Sequence, residues 1–315
     1  MLSRVADHLY WMSRYLERAE HTARLMDVHL VQLLEQVPGL DTEQRWKRLL
    51  RSLNVTQPDA DLQDIERLTR CLTVDSSSAT SIMSYVVVAR ENAQQVREQI
   101  SSEMWMQLNQ LYLGITRKER RTVWSAQPYE FFTSVKEGSH LFQGITDATM
   151  NHNEGWHFIQ LGRFIERMVS LADLVDSFFA YSAFAGADDY FEWLALLKSA
   201  TAFEAYCKIY HADLRPDWIA EFLLFNSEFP HSARFCVEMI LASLNAISDA
   251  TTLHRNSRLH RLAGRLRSTL SYDEIGEVLA GDFHAYLADL KRQSMDIHET
   301  LHETFVTYSI EAALA

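Results

Sequence analysis

The chain has 315 residues, with 30 Lys and Arg against 42 Asp and Glu, a formal net charge of −12 and 47% hydrophobic residues. That acidic balance argues against a nucleic-acid binder, which carries a basic face, and no apolar run reaches the roughly 18 residues of a membrane span; neither nucleic acid nor membrane is an expected partner. Ten Gly and five Pro are too few turn formers for a strand-rich fold with many reversals.

From Ser3 to about Val37 no Gly or Pro interrupts the chain, and Val5, Leu9, Met12, Leu16, Ala19, Ala23, Met26 and Leu30 recur at helical spacing, which predicts one long amphipathic helix. Similar windows cover about 43–54, 61–73, 78–113, 128–150, 154–184, 187–209, 215–226, 230–255 and 272–311. The prolines (Pro38, Pro58, Pro128, Pro216, Pro230) fall between these windows, where a residue without a backbone N–H does least harm. The expected fold is all-α, a bundle of about ten helices, several of them long. Cys71, Cys207 and Cys236 are far apart and odd in number, so no disulfide framework is expected. The segment after Met1 breaks charge early and has no apolar h-region, and the expected location is cytoplasmic.

The helices carry an internal repeat. Ser13-Arg14-Tyr15-Leu16-Glu17-Arg18 matches Gly162-Arg163-Phe164-Ile165-Glu166-Arg167 at an offset of 149 residues. The pattern W-x-x-L-L-[RK]-S at Trp46–Ser52 recurs at Trp193–Ser199, offset 147, and Ser81 meets Ser232 at offset 151. Two pseudo-symmetric halves follow, about 1–150 and 151–315, joined without a Gly/Ser-rich linker and hence expected to form one domain over 1–315.

The repeated Arg-aromatic-aliphatic-Glu-Arg element is the strongest polar signal. Arg14, Glu17, His21 and Arg24 lie along one helical stripe, and Arg163, Glu166, Ser170 and Asp173 along its counterpart. Arg14 and Glu17 can pair along the helix, whereas Arg18 points about 100° away from Glu17 and needs another partner. Two uses fit Arg14, Glu17, Arg18, His21, Arg163, Glu166 and Arg167. They can form interhelical ion pairs that set register, or a site for a carboxylate or other anion, which the arginine fork suits. Arg90 and Arg97, two turns apart, are the expected partners of Glu17 and Glu166, with a solvated face of local pairs as the alternative.

Two spacings resemble metal motifs. His298-Glu299-Thr300-Leu301-His302 spells HExxH, but no histidine follows His302 to complete a zinc site. Glu154 with His157, and Glu299 with His302, show the ExxH spacing of helical di-iron bundles, which also need a Glu from each of two further helices. No GxxxxGK[ST] loop is present to cradle ATP, and Cys236 sits in the apolar context Arg234-Phe235-Cys236-Val237, which suits a buried thiol rather than a nucleophile. No catalytic residue is assigned, and no metal or other cofactor is expected. Basic clusters at Arg117-Lys118-Glu119-Arg120-Arg121 and at His254, Arg255, Arg258, His260, Arg261, Arg265 and Arg267 read as a solvated loop and helix face, or as a local docking patch.

Met1–Met12 followed by Arg14-Tyr15-Leu16-Glu17-Arg18-Ala19-Glu20, the Ala89-Arg90-Glu91-Asn92 stretch, and Gly144–Met150 leading into Glu154–Phe158 and Leu161–Arg167 together resemble the bacterial alpha-E domain family over essentially the whole chain. The signature positions are Glu17-Arg18 and Glu166-Arg167. The resemblance implies an all-helical fold and a genomic context with a circularly permuted ATP-grasp ligase and a transglutaminase-like peptidase, which together would make and trim amide bonds. The expected role is therefore a non-catalytic or scaffold-like component of a peptide-ligation system acting with those two enzymes. The alternative is a free-standing enzyme that uses an inter-helix Glu/Arg cleft on a carboxylate-bearing substrate, or a helical-bundle metal site. Seven tryptophans and the apolar edges of long helices also predict self-association into a homo-oligomer.

Overall fold

The computed structural model describes residues 3–34, 41–55, 64–119, 128–181, 190–250 and 258–306. Among them the chain is all-α, with fourteen helices and no strand. In chain order these are α1 (Ser3–Leu34), α2 (Thr42–Ser52), α3 (Ile65–Thr73), α4 (Ile82–Gln95), α5 (Ser102–Glu119), α6 (Pro128–Thr149) and α7 (Glu154–Tyr181). They continue with α8 (Tyr190–Ser199), α9 (Phe203–Tyr210), α10 (Pro216–Phe225), α11 (Ala233–Ala250), α12 (Arg258–Tyr272), α13 (Ile275–Ala280) and α14 (Phe283–Phe305).

Local chemistry explains where several windows divide. The stretch 78–113 holds two helices because α4 ends at Gln95 and Ser101 starts a new one, its Oγ accepting from Met104 N at 3.1 Å. The window 187–209 breaks at Thr201, whose φ of 58° is left-handed. Gly281 and the N-cap Asp282, whose carboxylate accepts from Ala285 N at 2.9 Å, separate α13 from α14. Helix α12 falls outside the sequence windows because arginines crowd it, yet Leu259, Ala263, Leu266 and Leu270 give it a buried stripe. Residues 117–119 continue α5 rather than forming a loop. Arg120, Arg121, His254, Arg255, Pro38 and Pro58 lie outside the described residues.

One hydrophobic cluster runs through the bundle from Ala6 to Leu301. Helices α1 and α7 form its spine, with α4 packed on α1 and α11 packed on α7. The short helices cross over: α2 lies against α7 and α8 against α1. Helix α6 packs on α1 and α5, while α14 packs on α7 and α12. Positions matched in the sequence repeat take like roles. Ser81 caps α4 by accepting from Ser84 N at 3.1 Å, and Ser232 caps α11 by accepting from Phe235 N at 3.1 Å. Asn54 and Thr201, two residues past α2 and α8, both take left-handed backbone at φ 51° and 58°.

The spine helices approach tightly at Gly162, the counterpart of Ser13. A Cβ at Gly162 would stand 2.3 Å from the Tyr10 carbonyl oxygen and 3.2 Å from Ser13 Cβ. Tyr10 O is helix backbone and cannot swing aside, so only glycine permits this approach. Gly162→Ala is therefore expected to cost about 3 kcal/mol in urea unfolding, as overpacking between helices does; unchanged stability would mean that the spine is looser than this geometry.

Candidate functional site

The close approach at Gly162 brings the two copies of the Glu-Arg element face to face. Glu17 Oε1 accepts from Arg167 Nε at 2.5 Å, and Glu17 Oε2 accepts from Gln143 Nε2 of α6 at 3.2 Å. Across the seam Glu166 accepts from Arg18 Nε at 2.5 Å and Arg18 Nη2 at 3.0 Å, and from Arg14 Nε at 2.6 Å. Under the 149-residue offset, the Glu17–Arg167 and Glu166–Arg18 pairs are images of one another. Arg167 Nη1 also donates to the Pro230 carbonyl at 2.9 Å, tying the turn before α11 to the seam.

The copies differ in how the first arginine of the element is used. Arg14 reaches Glu166, but its counterpart Arg163 leaves a buried Nε with no hydrogen-bond partner among the described residues. Gln143 takes the second oxygen of Glu17 instead. Burial, then the Arg167 charge, pushes the Arg163 pKa down. Burial alone would raise the Glu166 carboxyl, but the guanidiniums of Arg14 and Arg18 hold it below the usual carboxylate range. Arg14 Nη1 donates to Tyr10 Oη at 3.2 Å, and Tyr10 Oη meets His298 Nδ1 at 2.8 Å. A continuous polar chain thus runs from α14 into the crossed pairs.

Several sequence expectations are corrected by this geometry. Arg14 pairs across the seam rather than with Glu17 on its own helix, and Arg24 pairs with Glu20. Arg90 and Arg97 do not reach Glu17 or Glu166. Arg90 donates to Asn109 Oδ1 at 2.6 Å and lies over Tyr112 and Trp105, and Arg97 lies over Trp105. Arg90 on α4 and Arg97 in the turn after it both face the aromatics of α5, which offer π faces without desolvating a carboxylate. The candidate ligands Glu154, His157, His298, Glu299 and His302 form no metal-holding set, since no three His, Cys, Asp or Glu side chains gather in that way among the described residues.

A second buried network escaped sequence reading. Glu192 of α8 pairs with Arg45 at 3.1 Å and with Arg48, both of α2, and Gln32 bonds both Arg48 and Glu192. The signal was available: Arg45 and Glu192 each precede the tryptophan of the second repeat marker, so opposite charges occupy matched positions.

Beside the crossed pairs a cavity of about 350 Å³ opens between α1, α2, α4, α7 and α14. Arg18 enters it with 29% of its side chain exposed. Burial pushes the Cys236 thiol up to about 12, so it is not a thiolate at neutral pH.

A family model described as a predicted alpha-helical domain with a conserved ER motif, Alpha-E, matches residues 1–306. The chain belongs to the Alpha-E family. Its crossed Glu17-Arg18 and Glu166-Arg167 dipeptides give that motif a geometry. An uncharacterized protein of Mycobacterium tuberculosis is 24% identical over 318 aligned positions, covering 91% of this chain and 34% of the relative. An uncharacterized protein of Mycobacterium bovis matches to the same extent. The chain thus spans about a third of the length of these curated relatives. No solved structure matches. Among the described residues no helix is long and apolar enough to cross a membrane.

Two outcomes follow from the charges. Glu166→Gln leaves Arg14 and Arg18 facing a neutral amide and is expected to cost about 3–5 kcal/mol of stability, the usual result of breaking a buried pair on one side; a melting curve like that of the parent would show the pair to be dispensable. Burial, reinforced by nearby arginine charge, holds His29 at about 3 and His298 at about 4, so both are neutral in the folded chain and protonate in the unfolded chain near pH 6.5. The unfolded state then binds more protons, and stability is expected to fall as pH drops from about 6.5 toward 4. His298→Gln should flatten that slope; an equally steep slope in the variant would assign it elsewhere.

Proposed function

We propose that the chain is a duplicated, non-catalytic helical scaffold whose crossed Glu-Arg pairs fix its two halves as one body. It works in the bacterial cytoplasm as a component of a peptide or amide-ligation system, in contact with a circularly permuted ATP-grasp ligase and a transglutaminase-like peptidase. The observation that carries the scaffold reading is the saturation of the signature carboxylates: Glu17 is held by Arg167 and Gln143, and Glu166 by Arg14 and Arg18. Carboxylates so occupied hold helices together and are poor general bases, because both oxygens already accept charged or amide donors.

The partner enzymes come from the family resemblance. The relatives carry this region within chains about three times as long, which supports a module that acts beside other protein. The cavity beside Arg18 supports the second reading, an enzyme acting on a carboxylate-bearing substrate. Affinity purification of the tagged chain from its host at modest ionic strength, with mass spectrometry of what accompanies it, separates the two. An ATP-grasp ligase in fixed ratio is the expected result. A chain that purifies alone and turns over a carboxylate substrate would replace the scaffold by the enzyme.

A further inference from the structure

The repeat places one cleft on each side of the α1–α7 crossing, and the two clefts are built from matched residues. Arg18, Ser52, Thr80 and Glu166 line one; Arg167, Ser199, His231 and Glu17, their counterparts at offsets of 149, 147, 151 and 149, line the other. Their sizes differ sharply: the first cleft has about 350 Å³ and the second about 20 Å³.

The chain itself fills the second cleft. Glu20 brings a carboxylate there, held by Arg24 and by His140 at 3.5 Å, and the His231 ring lies beside it. In the first cleft Val169 stands at the place of Glu20 and Thr80 at the place of His231, so neither that carboxylate nor that imidazole has a counterpart there.

The charges differ as well. The closed cleft balances Arg24 and Arg167 against Glu17 and Glu20. The open cleft sets Arg14, Arg18 and Lys291 against Glu166 and Asp173, one cation in excess. Lys291 pairs with Asp173 at 2.7 Å, and Arg18 commits Nε and Nη2 to Glu166, which leaves Nη1. His21, between the two clefts and lining both, has a buried Nε2 with no hydrogen-bond partner among the described residues. Burial lowers the His21 pKa, so the ring adds no charge. A buried polar atom without a partner beside an incompletely matched guanidinium points to an acceptor supplied from outside.

We propose that the open cleft between α1, α4, α7 and α14 binds a small monoanionic carboxylate, of the kind presented by an acylated amino acid or a peptide C-terminus, with Arg18 as its anchor and Lys291 as the second cation. The cavity lies at the small end of ligand sites, which suits one or two residues rather than a long peptide. This rests on the carboxylate reading of the cavity beside Arg18 rather than on the scaffold role, and titration of the isolated chain can fail while a ligase still co-purifies.

Isothermal titration of the full chain with N-acetyl-L-alanine, its neutral methylamide and inorganic phosphate tests the site. N-acetyl-L-alanine is expected to bind saturably, with the methylamide weaker by about tenfold or more, the effect of losing a charge-assisted contact. Lys291→Gln should weaken the acid about tenfold while the chain stays folded and any co-purified ligase is unchanged. Val169→Glu, which restores the carboxylate of the closed cleft, should abolish binding. The assignment is overturned if the acid shows no saturable binding, if the methylamide binds equally well, or if phosphate binds and the acid does not.

Discussion

A carboxylate sealed between two helices loses its hydration, and the folded state tolerates it only with a guanidinium against it. Glu17 and Glu166 are 3% and 4% exposed, each on a helix that crosses the other at Gly162, and each finds its arginine on the opposite helix. That requirement sets more than one contact. It fixes the register of α1 against α7, demands glycine at the crossing, and draws Gln143 of α6 and the turn before α11 onto the same seam. Slipping either helix by one turn would strand charges in the core, so the pairs act chiefly through specificity of packing, whatever their net contribution to stability.

Duplication of a helical unit explains why such a seam comes in two copies, and divergence explains why its sides differ. Glu20 with its cations closes one flank, whereas Val169 opens the other. The Arg45–Arg48–Glu192 cluster repeats the principle farther along, where α2 and α8 swap sides to pack on the opposite spine helix. Opposite charges at matched positions, Arg45 and Glu192, hold that exchange in one arrangement only.

Helical periodicity and scarce turn residues make the all-α class legible, and the repeated Glu-Arg element points to the seam from sequence alone. What periodicity could not show was direction in space. Arg90 and Arg97 have the spacing to serve Glu17 and Glu166, but α4 ends at Gln95 between them and both guanidiniums lie over aromatics of α5, Trp105 and Tyr112. Arg14 has Glu17 three residues away yet bonds a residue 152 positions distant, because the crossing presents Glu166 to it at better geometry than its own helix allows. Helix α12 was hidden by arginines whose neighbours Leu259, Ala263 and Leu266 carry the buried face. At the HExxH spelling, His298 sits in a stack of aromatics with Nδ1 on Tyr10, and no third metal-ligating side chain gathers there among the described residues.

The most direct measurement is a double-mutant cycle on Glu17→Gln and Arg167→Gln by urea denaturation, since these residues touch only if the two copies of the element meet. The account predicts a coupling energy of about 2 kcal/mol or more, with the double variant less destabilised than the sum of the singles. Additive effects, with a coupling near zero, would contradict a structure organised around the crossed glutamate–arginine seam.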